Sequence, residues 1–301
     1  IDKPNQRSSH TEITLRGGGI IFPIAFLLFI GSQFFRGNSI TNPENYLIFG
    51  TGLLAICVLS FIDDMIDLSS KIRLVFHFIS VTLLLYFVNA FQLLPIWSIP
   101  ILFIMIIGIL NAYNFMDGVN GITGLYSLVV LASLLYVNQN IVGFTNEDFI
   151  IYPLLASTVF LFFNFRKKAK CFMGDIGSIG IAFWILGLLG LLMIETQELK
   201  YLLFLTVYGT DVVLTILERL KLKENIFEAH RRHLYQLFAN EKKVSHLLVS
   251  TLYAGLQLFI NAIIIALDLP EWLIFAAIVL PIGLLYLITK STIKKQVSKS
   301  K

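Results

Sequence analysis

Long apolar runs constrain this chain more than any other feature of its sequence. A helix that crosses the hydrocarbon core of a bilayer needs ~20 mostly apolar residues, and the chain holds about ten stretches of this kind. Hydrophobic residues make up 56% of the 301 residues and charged residues only 14%, whereas an average soluble domain carries roughly 25% charged residues. The sequence therefore predicts an all-α fold, a polytopic membrane helical bundle that forms a single domain over residues 1–301.

The predicted spans are separated by short polar segments. They cover residues 18–35, 46–62, 74–91, 96–115, 121–137, 149–165, 176–194, 199–217, 246–267 and 272–289. Ile1 is not a natural starting residue, and no cleavable signal peptide is visible in the polar segment before residue 18. We therefore expect an upstream segment to be missing from this sequence.

Basic residues are distributed unequally between the two sides of the predicted bundle. Of the 23 Lys and Arg residues, all except Arg36 and Lys200 fall in the segments that share one side. The positive-inside rule makes that side cytoplasmic, with residues 218–245 as its longest loop. The net charge of +4 thus reflects membrane topology and does not indicate nucleic-acid binding. The basic tail KKQVSKSK is predicted to be disordered.

Four polar clusters lie at the ends of apolar runs on the predicted cytoplasmic side. They are DDMID (63–67), NAYNFMDGVNG (111–121), CFMGD (171–175) and EAHRRH (228–233). In the first cluster, Asp67 is four residues after Asp63 and three after Asp64, so on a continuing helix it shares a face with them. Carboxylates this close repel each other unless one takes up a proton or a cation lies between them. Carboxylate oxygens suit Mg²⁺, which also binds substrate phosphates, and Lys71 follows as a point charge for phosphate. A solvated acidic helix end is the alternative interpretation of this cluster by itself.

The second and third clusters combine amides with carboxylates. Asn111, Asn114 and Asp117 recur at i, i+3 and i+6, which predicts one polar stripe at a helix end. Capping or backbone pairing explains one such amide more easily than the whole stripe. Asp175 is predicted to be the N-cap of the seventh span, where a helix N-terminus favours anionic groups. Phe172 is interpreted either as a residue that packs in the core or as an aromatic ring that stacks on a nucleotide base.

The fourth cluster places two imidazoles and two guanidiniums in four consecutive residues, His230 to His233. Arg231 and Arg232 are suited to bidentate phosphate binding, although a solvated basic loop is the alternative. A zinc site is not expected, because no further soft ligands accompany the two histidines. Asp211 is unpaired in the sequence and lies inside a span, so it is either functional or part of a helix-packing hydrogen bond.

The ordered motifs DD-xx-D, N-xx-N-xx-DG, MGD-xGS and H-xx-H together resemble the polyprenyl-phosphate N-acetylhexosamine-1-phosphate transferase family. ENIFEAHRRHLYQ is most similar to the O-antigen-initiating branch, and the resemblance covers nearly the whole chain. It implies transfer of N-acetylhexosamine-1-phosphate from a UDP-N-acetylhexosamine to undecaprenyl phosphate, with Mg²⁺ and release of UMP. It also implies a bacterial inner membrane protein, an active site on the cytoplasmic face and one further N-terminal helix.

The same resemblance implies roles for individual residues. Catalytic positions are matched by Asp63, Asp64, Asp117 and His230, and metal-binding positions by Asn114 and Asp175. Substrate-binding positions are matched by Lys71, Asn120, Phe172, Arg231, Arg232 and His233, with Asn120 and Phe172 where relatives contact uracil. Asp67 matches a third aspartate of the first motif.

Two departures from the family pattern leave the sugar open among GlcNAc, GalNAc, QuiNAc and FucNAc. Many relatives have Asp in place of Asn120, and many have H-x-H-H where this chain has His-Arg-Arg-His. The alternative functions are a lipid or nucleotide-sugar transporter and a non-catalytic scaffold. The near absence of charge inside the spans disfavours the transporter. Besides membrane lipid, a second copy of the chain is a compatible partner.

Overall fold

The computed structural model describes residues 14–36, 43–66, 68–225 and 230–300. The described residues form two short strands and twelve α-helices, with three short 3-10 or π segments between them. The strands are β1 (Leu15–Arg16) and β2 (Cys171–Phe172). The helices are α1 (Ile21–Phe35), α2 (Pro43–Ile66), α3 (Ser70–Phe87), α4 (Ala90–Leu93), α5 (Ser98–Met116), α6 (Ile122–Asn140), α7 (Asp148–Asn164), α8 (Gly174–Thr196), α9 (Thr206–Lys221), α10 (Leu234–Gln236), α11 (His246–Ala266) and α12 (Glu271–Ser300).

The predicted all-α membrane bundle is confirmed. Within the described residues, nine helices are long and apolar enough to cross a membrane. The spans of α1 and α9 include the 3-10 turns before these helices and run over Gly18–Phe35 and Leu199–Lys221. The sixth predicted span is also an apolar helix, α7, but its 17 residues are fewer than those of the nine spans. The predicted disorder of the C-terminal tail is wrong, because α12 continues to Ser300. Since α2 is described to Ile66, Asp67 lies outside the described residues.

Helix α8 forms the centre of the bundle and is the most deeply buried of the long helices. Its Trp184 packs edge-on against Phe26 and Phe49, with ring centroids 5.6 and 5.9 Å apart, and its indole N–H donates to the Phe149 carbonyl. Near the start of α8, a Cβ added at Gly177 would lie 2.6 Å from the Cα of Gly19. The small residues thus let the chain before α1 approach α8 closely.

That close approach continues into a two-stranded parallel ribbon. Leu15 is paired with Cys171 and Arg16 with Phe172, and the Gly19 N–H donates to the Met173 carbonyl at 2.9 Å. The ribbon joins the segment before α1 to the segment before α8. It therefore carries the Arg16 side chain to the N-terminus of the central helix.

Polar contacts at the opposite end of the bundle tie α1, α2 and α7 together. Asp148 accepts hydrogen bonds from Gln33 at 2.7 Å and Arg36 at 3.0 Å, and the Tyr46 and Thr145 hydroxyls lie 3.1 Å apart. These side chains are distant from the four predicted clusters. The bundle therefore has two polar ends, and the predicted clusters meet at one of them.

Candidate active site

The centre of this end is an arginine placed between two carboxylates. Arg16 Nη2 lies 2.7 Å from Asp64 Oδ1 and 2.8 Å from Asp175 Oδ1. The second oxygen of Asp64 accepts the backbone N–H of Asp175 at 3.0 Å. The ends of α2 and α8, which are 111 residues apart in the chain, therefore form one site. Asp175 lies in the first turn of α8, whereas the N-cap is Met173, so the predicted capping role is wrong.

The Asn-Asp motif borders the same site at the end of α5. The Asn114 amide donates to the Ser178 hydroxyl at 3.2 Å, one turn after Asp175 in α8. The predicted stripe is only partly present, because Asn111 bonds the Ile107 carbonyl of its own helix at 2.8 Å. Asn114 is therefore directed to the start of α8 and Asn111 is not.

Asp117 immediately follows α5, and its surroundings strongly perturb its acidity. Burial raises the pKa of Asp117 to about 7; the adjacent Thr123 hydroxyl and the Arg16 guanidinium partly offset this effect, and the Asp175 carboxylate adds to it. A carboxyl group with such a pKa exchanges a proton near neutral pH. Asp117 is therefore close to the Arg16 site and suited to proton transfer.

The first aspartate of the DDMID motif faces away from this site. Asp63 accepts hydrogen bonds from the Leu68 backbone N–H at 2.6 Å and from Arg73 at 3.2 Å. Both partners belong to the turn into α3 and its beginning. Lys71 is exposed on the first turn of α3. The structure thus brings Asp64, and not Asp63, to Asp175.

One side chain, Asn164, connects the segments that carry Asn120 and Phe172, the two residues matched to uracil contacts. Asn164, at the end of α7, accepts the Gly121 N–H at 2.6 Å and donates to the Cys171 carbonyl at 2.8 Å. Gly121 follows Asn120, and Cys171 precedes Phe172. The Asn120 amide also donates to the Arg166 carbonyl at 2.8 Å. Asn120 is buried and Phe172 is half-buried.

The histidine segment reaches the same end of the bundle through Tyr235, whose hydroxyl donates to the Phe115 carbonyl at 2.9 Å. His233 is buried and its Nδ1 lies 3.1 Å from Asp211. Arg232 forms ion pairs with Glu218, at 3.6 Å, and with Glu224. The structure therefore places these residues beside the end of α5.

His230 and Arg231 are half-buried in this segment. Burial is the largest cause that lowers the pKa of His230 to about 4, and the neighbouring His233 and Arg219 act in the same direction. The His230 ring is therefore neutral at pH 7, so it donates through one nitrogen and accepts through the other.

Two contributors to the site, Arg16 and Asn164, were not predicted from the sequence, and for a third, Asp211, the sequence left a functional and a packing role open. Arg16 was counted only as a basic residue of the opening segment, although the adjacent glycines signal a close backbone approach. Asp211 carried a signal, because a carboxylate inside an apolar span needs a partner. Asn164 carried none, because one amide at a helix end is common.

The fold and this site define a multi-pass membrane protein with one polar site at one end of its bundle. Residues 46–194 match the sequence profile of glycosyl transferase family 4. This match and the named relatives below support the polyprenyl-phosphate hexosamine-1-phosphate transferases as the family that the chain resembles.

Relatives with assigned names come from several bacteria. The chain is 26% identical over 258 residues to the probable undecaprenyl-phosphate N-acetylglucosaminyl 1-phosphate transferase of Bacillus subtilis, covering 78% of this chain and 68% of that protein. It is 24% identical to the undecaprenyl-phosphate α-N-acetylglucosaminyl 1-phosphate transferase of Thermotoga maritima, over 80% and 73% of the two chains. It is 27% identical to the phospho-N-acetylmuramoyl-pentapeptide-transferase of Thermotoga neapolitana, over 78% and 79%.

Proposed function

We propose that this protein transfers N-acetylhexosamine-1-phosphate from a UDP-N-acetylhexosamine to undecaprenyl phosphate. The products are undecaprenyl-diphospho-sugar and UMP, and the reaction initiates a cell-surface polysaccharide at the cytoplasmic face of the bacterial inner membrane. The observation that carries the proposal is the meeting of Arg16, Asp64 and Asp175 at one end of the bundle. Two of the similar proteins are named as transferases of this kind that use undecaprenyl phosphate.

The position of the site suits two substrates of different solubility. The carboxylates lie at the ends of α2 and α8, where a transmembrane helix meets the membrane surface. A lipid-borne phosphate reaches such a position from the bilayer, and a nucleotide sugar reaches it from water. A site in the middle of the membrane would favour a transporter.

The carboxylates and the amide of the site fit Mg²⁺, although no group of three or more His, Cys, Asp and Glu side chains in the described residues forms a metal site by itself. Mg²⁺ binds through one or two carboxylates and completes its shell with waters and substrate phosphates. Asp64 Oδ1 is buried and faces the Arg16 guanidinium at 2.7 Å, so this oxygen already binds a positive charge at the position that a cation would take. Asp64, Asp175 and the Asn114 oxygen are the groups that would hold the ion, which would neutralise phosphate charge and stabilise the leaving group.

The chain's own residues account for binding and orientation. Arg231 and Arg232 supply guanidiniums for phosphate oxygens, and Lys71 adds a positive charge at the start of α3. A phosphate oxygen of the lipid attacks the β-phosphorus of the nucleotide sugar, and the bond between that phosphorus and the UMP oxygen breaks with its electron pair. Asp117, with a pKa of about 7, accepts the proton of a singly protonated lipid phosphate.

Release of UMP from UDP-GlcNAc tests this proposal, with purified protein, undecaprenyl phosphate and Mg²⁺. Asp64→Ala and Asp175→Ala are each expected to lower the rate by about 100-fold or more, since each removes a preorganised charged group from the site. Asp148→Ala is the matched control, because it removes a paired carboxylate at the opposite end of the bundle. It is expected to retain the wild-type rate.

Two results would contradict the proposal. Full activity of both site variants would show that the Asp64–Asp175 pair is not the reaction site. Movement of the nucleotide sugar across proteoliposomes without release of UMP would establish the transporter instead. A panel of UDP-sugars in the same assay identifies the sugar.

A further inference from the structure

Asp211 of α9 is a carboxylate enclosed by hydrogen-bond donors, and it is only 1% exposed. The backbone N–H of Leu234 lies 3.0 and 3.1 Å from its two oxygens, and that of Tyr235 lies at 3.4 Å. The hydroxyls of Tyr253 and Tyr286 donate at 2.7 and 3.0 Å. Backbone N–H groups only donate, so the surroundings of Asp211 are those of a carboxylate that acts as an acceptor.

One further donor is the ring of His233, whose Nδ1 lies 3.1 Å from Asp211 Oδ1. Because the carboxylate accepts, the proton of this hydrogen bond belongs to Nδ1. The His233 ring is also close to the rings of His230 and Tyr235, with centroids 4.9 and 5.8 Å away. Asp211 therefore fixes both the tautomer and the orientation of His233, and leaves Nε2 for another partner.

Nε2 of His233 is buried and has no hydrogen-bond partner among the residues that the structure describes. Buried polar atoms in native proteins are nearly always hydrogen-bonded, so such an atom calls for a ligand or an ordered water. The ring next to it, Tyr235, is bonded through its hydroxyl to the Phe115 carbonyl, two residues before Asp117. The unpartnered nitrogen therefore lies at the end of the bundle that carries the candidate active site.

We propose that Asp211 is a positioning residue for the transfer reaction, which holds His233 so that Nε2 meets an oxygen atom of the bound nucleotide sugar. This inference deepens the proposed function and rests on it for the substrate. Asp211 acts through His233, because its own oxygens are occupied by donors of the protein. Side chains that orient a functional histidine in this way fix its tautomer and its direction.

The kinetic test compares Asp211→Asn with His233→Ala and with the double variant. Asp211→Asn keeps the size of the side chain but sets an amide donor against the surrounding N–H groups. We expect kcat for UMP release to fall about 10- to 100-fold, with an unchanged KM for undecaprenyl phosphate. In the double variant, loss of Asp211 has no further effect, since its action passes through His233. Additive losses, or full activity of Asp211→Asn, overturn the proposal.

Tyr286→Phe is the matched control, because it removes another hydrogen-bond donor to Asp211 and leaves His233 in place. We expect the rate of this variant to stay within about twofold of wild type, as for a residue outside the coupled pair. A loss equal to that of Asp211→Asn would show that Asp211 supports only helix packing, and would overturn the proposal.

A second measurement uses the wild-type protein and does not depend on activity. The chain has only five histidines, so nitrogen NMR of protein with labelled histidine gives few ring signals, and His233 is the one lost in His233→Ala. We expect a proton on Nδ1 and a change at Nε2 when UDP-GlcNAc is added. An Nδ1 of His233 that carries no proton overturns the proposal, even if the variants fail to fold. A protonated Nδ1 without UMP release from any UDP-sugar of the panel refutes the proposed function but preserves the Asp211–His233 pairing.

Discussion

Arg16 occupies the position between two carboxylates that a divalent cation would share. Removing its positive charge leaves Asp64 and Asp175 facing each other, and two such carboxylates bind a cation more tightly. We expect Mg²⁺ binding to raise the unfolding temperature of the protein. For Arg16→Ala, we expect half of this rise at a Mg²⁺ concentration about threefold lower than for wild type, or lower still. Arg73→Ala is the control, because Arg73 pairs with Asp63 instead. Equal behaviour of the two variants would contradict the interpretation of Arg16.

The raised pKa of Asp117 makes the stability of the folded protein depend on pH. Its pKa is raised from 3.8 to about 7, so the folded protein binds this proton more tightly than the unfolded chain does. The stabilisation is fully present below pH 3.8 and is lost as the pH rises through about 7. Asp117→Asn removes the titration, so we expect the variant to gain stability relative to wild type between pH 5 and pH 8. Unfolding temperatures measured across this range check the prediction, and parallel curves for the two proteins would refute it.

At the scale of elements, Asn164 joins the end of α7 to the start of α6 and to β2. Through Gly121 and Cys171 it fixes the backbone beside Asn120 and Phe172. Asn164→Ala frees both segments, so we expect KM for the UDP-sugar to rise about 10-fold while KM for undecaprenyl phosphate stays the same. The control is Asn140→Ala, which removes an amide bonded within its own helix to Tyr136. Steady-state kinetics with each substrate varied in turn makes the comparison.

Hydropathy predicted the long helices because an apolar run of membrane length has few other structures available to it. It could not predict β1 and β2, because a strand of two residues has no measurable periodicity. It also missed the end of α12. There, Lys290 forms an ion pair with Glu218 of α9 at 2.9 Å, and Lys294 bonds the same carboxylate. Contacts between residues so distant in sequence are set by packing and leave no local pattern.

Part of the candidate site was also predictable from hydropathy. The clusters of Asp64, Asn114 and Asp175 were expected to converge because hydropathy placed them on one side, and the structure brings them together. The facing direction of each side chain was not predictable. Asp63 and Asp64 are adjacent, yet one bonds the turn into α3 and the other bonds α8.

For the whole molecule, the unequal distribution of basic residues predicts which end faces the cytoplasm. Single cysteines are placed at Lys223, just after α9 at the end of the bundle that carries the site, and at Asn140, at the opposite end; both positions are exposed. After Cys57 and Cys171 are replaced, a membrane-impermeant maleimide is expected to label Asn140→Cys in intact spheroplasts and Lys223→Cys only after permeabilisation. The reverse pattern would place the site outside and refute the proposed orientation.

The central location of α8 also bears on biogenesis. Helices leave the ribosome in order, and α8 is made only after α1, α2, α5, α6 and α7 have emerged. These earlier helices pack against α8, so their packing is complete only after α8 has entered the bilayer. Asp64 is likewise inserted long before Asp175, its neighbour in the site. Assembly of the functional end is therefore a late step, which begins when the nascent chain has passed Thr196.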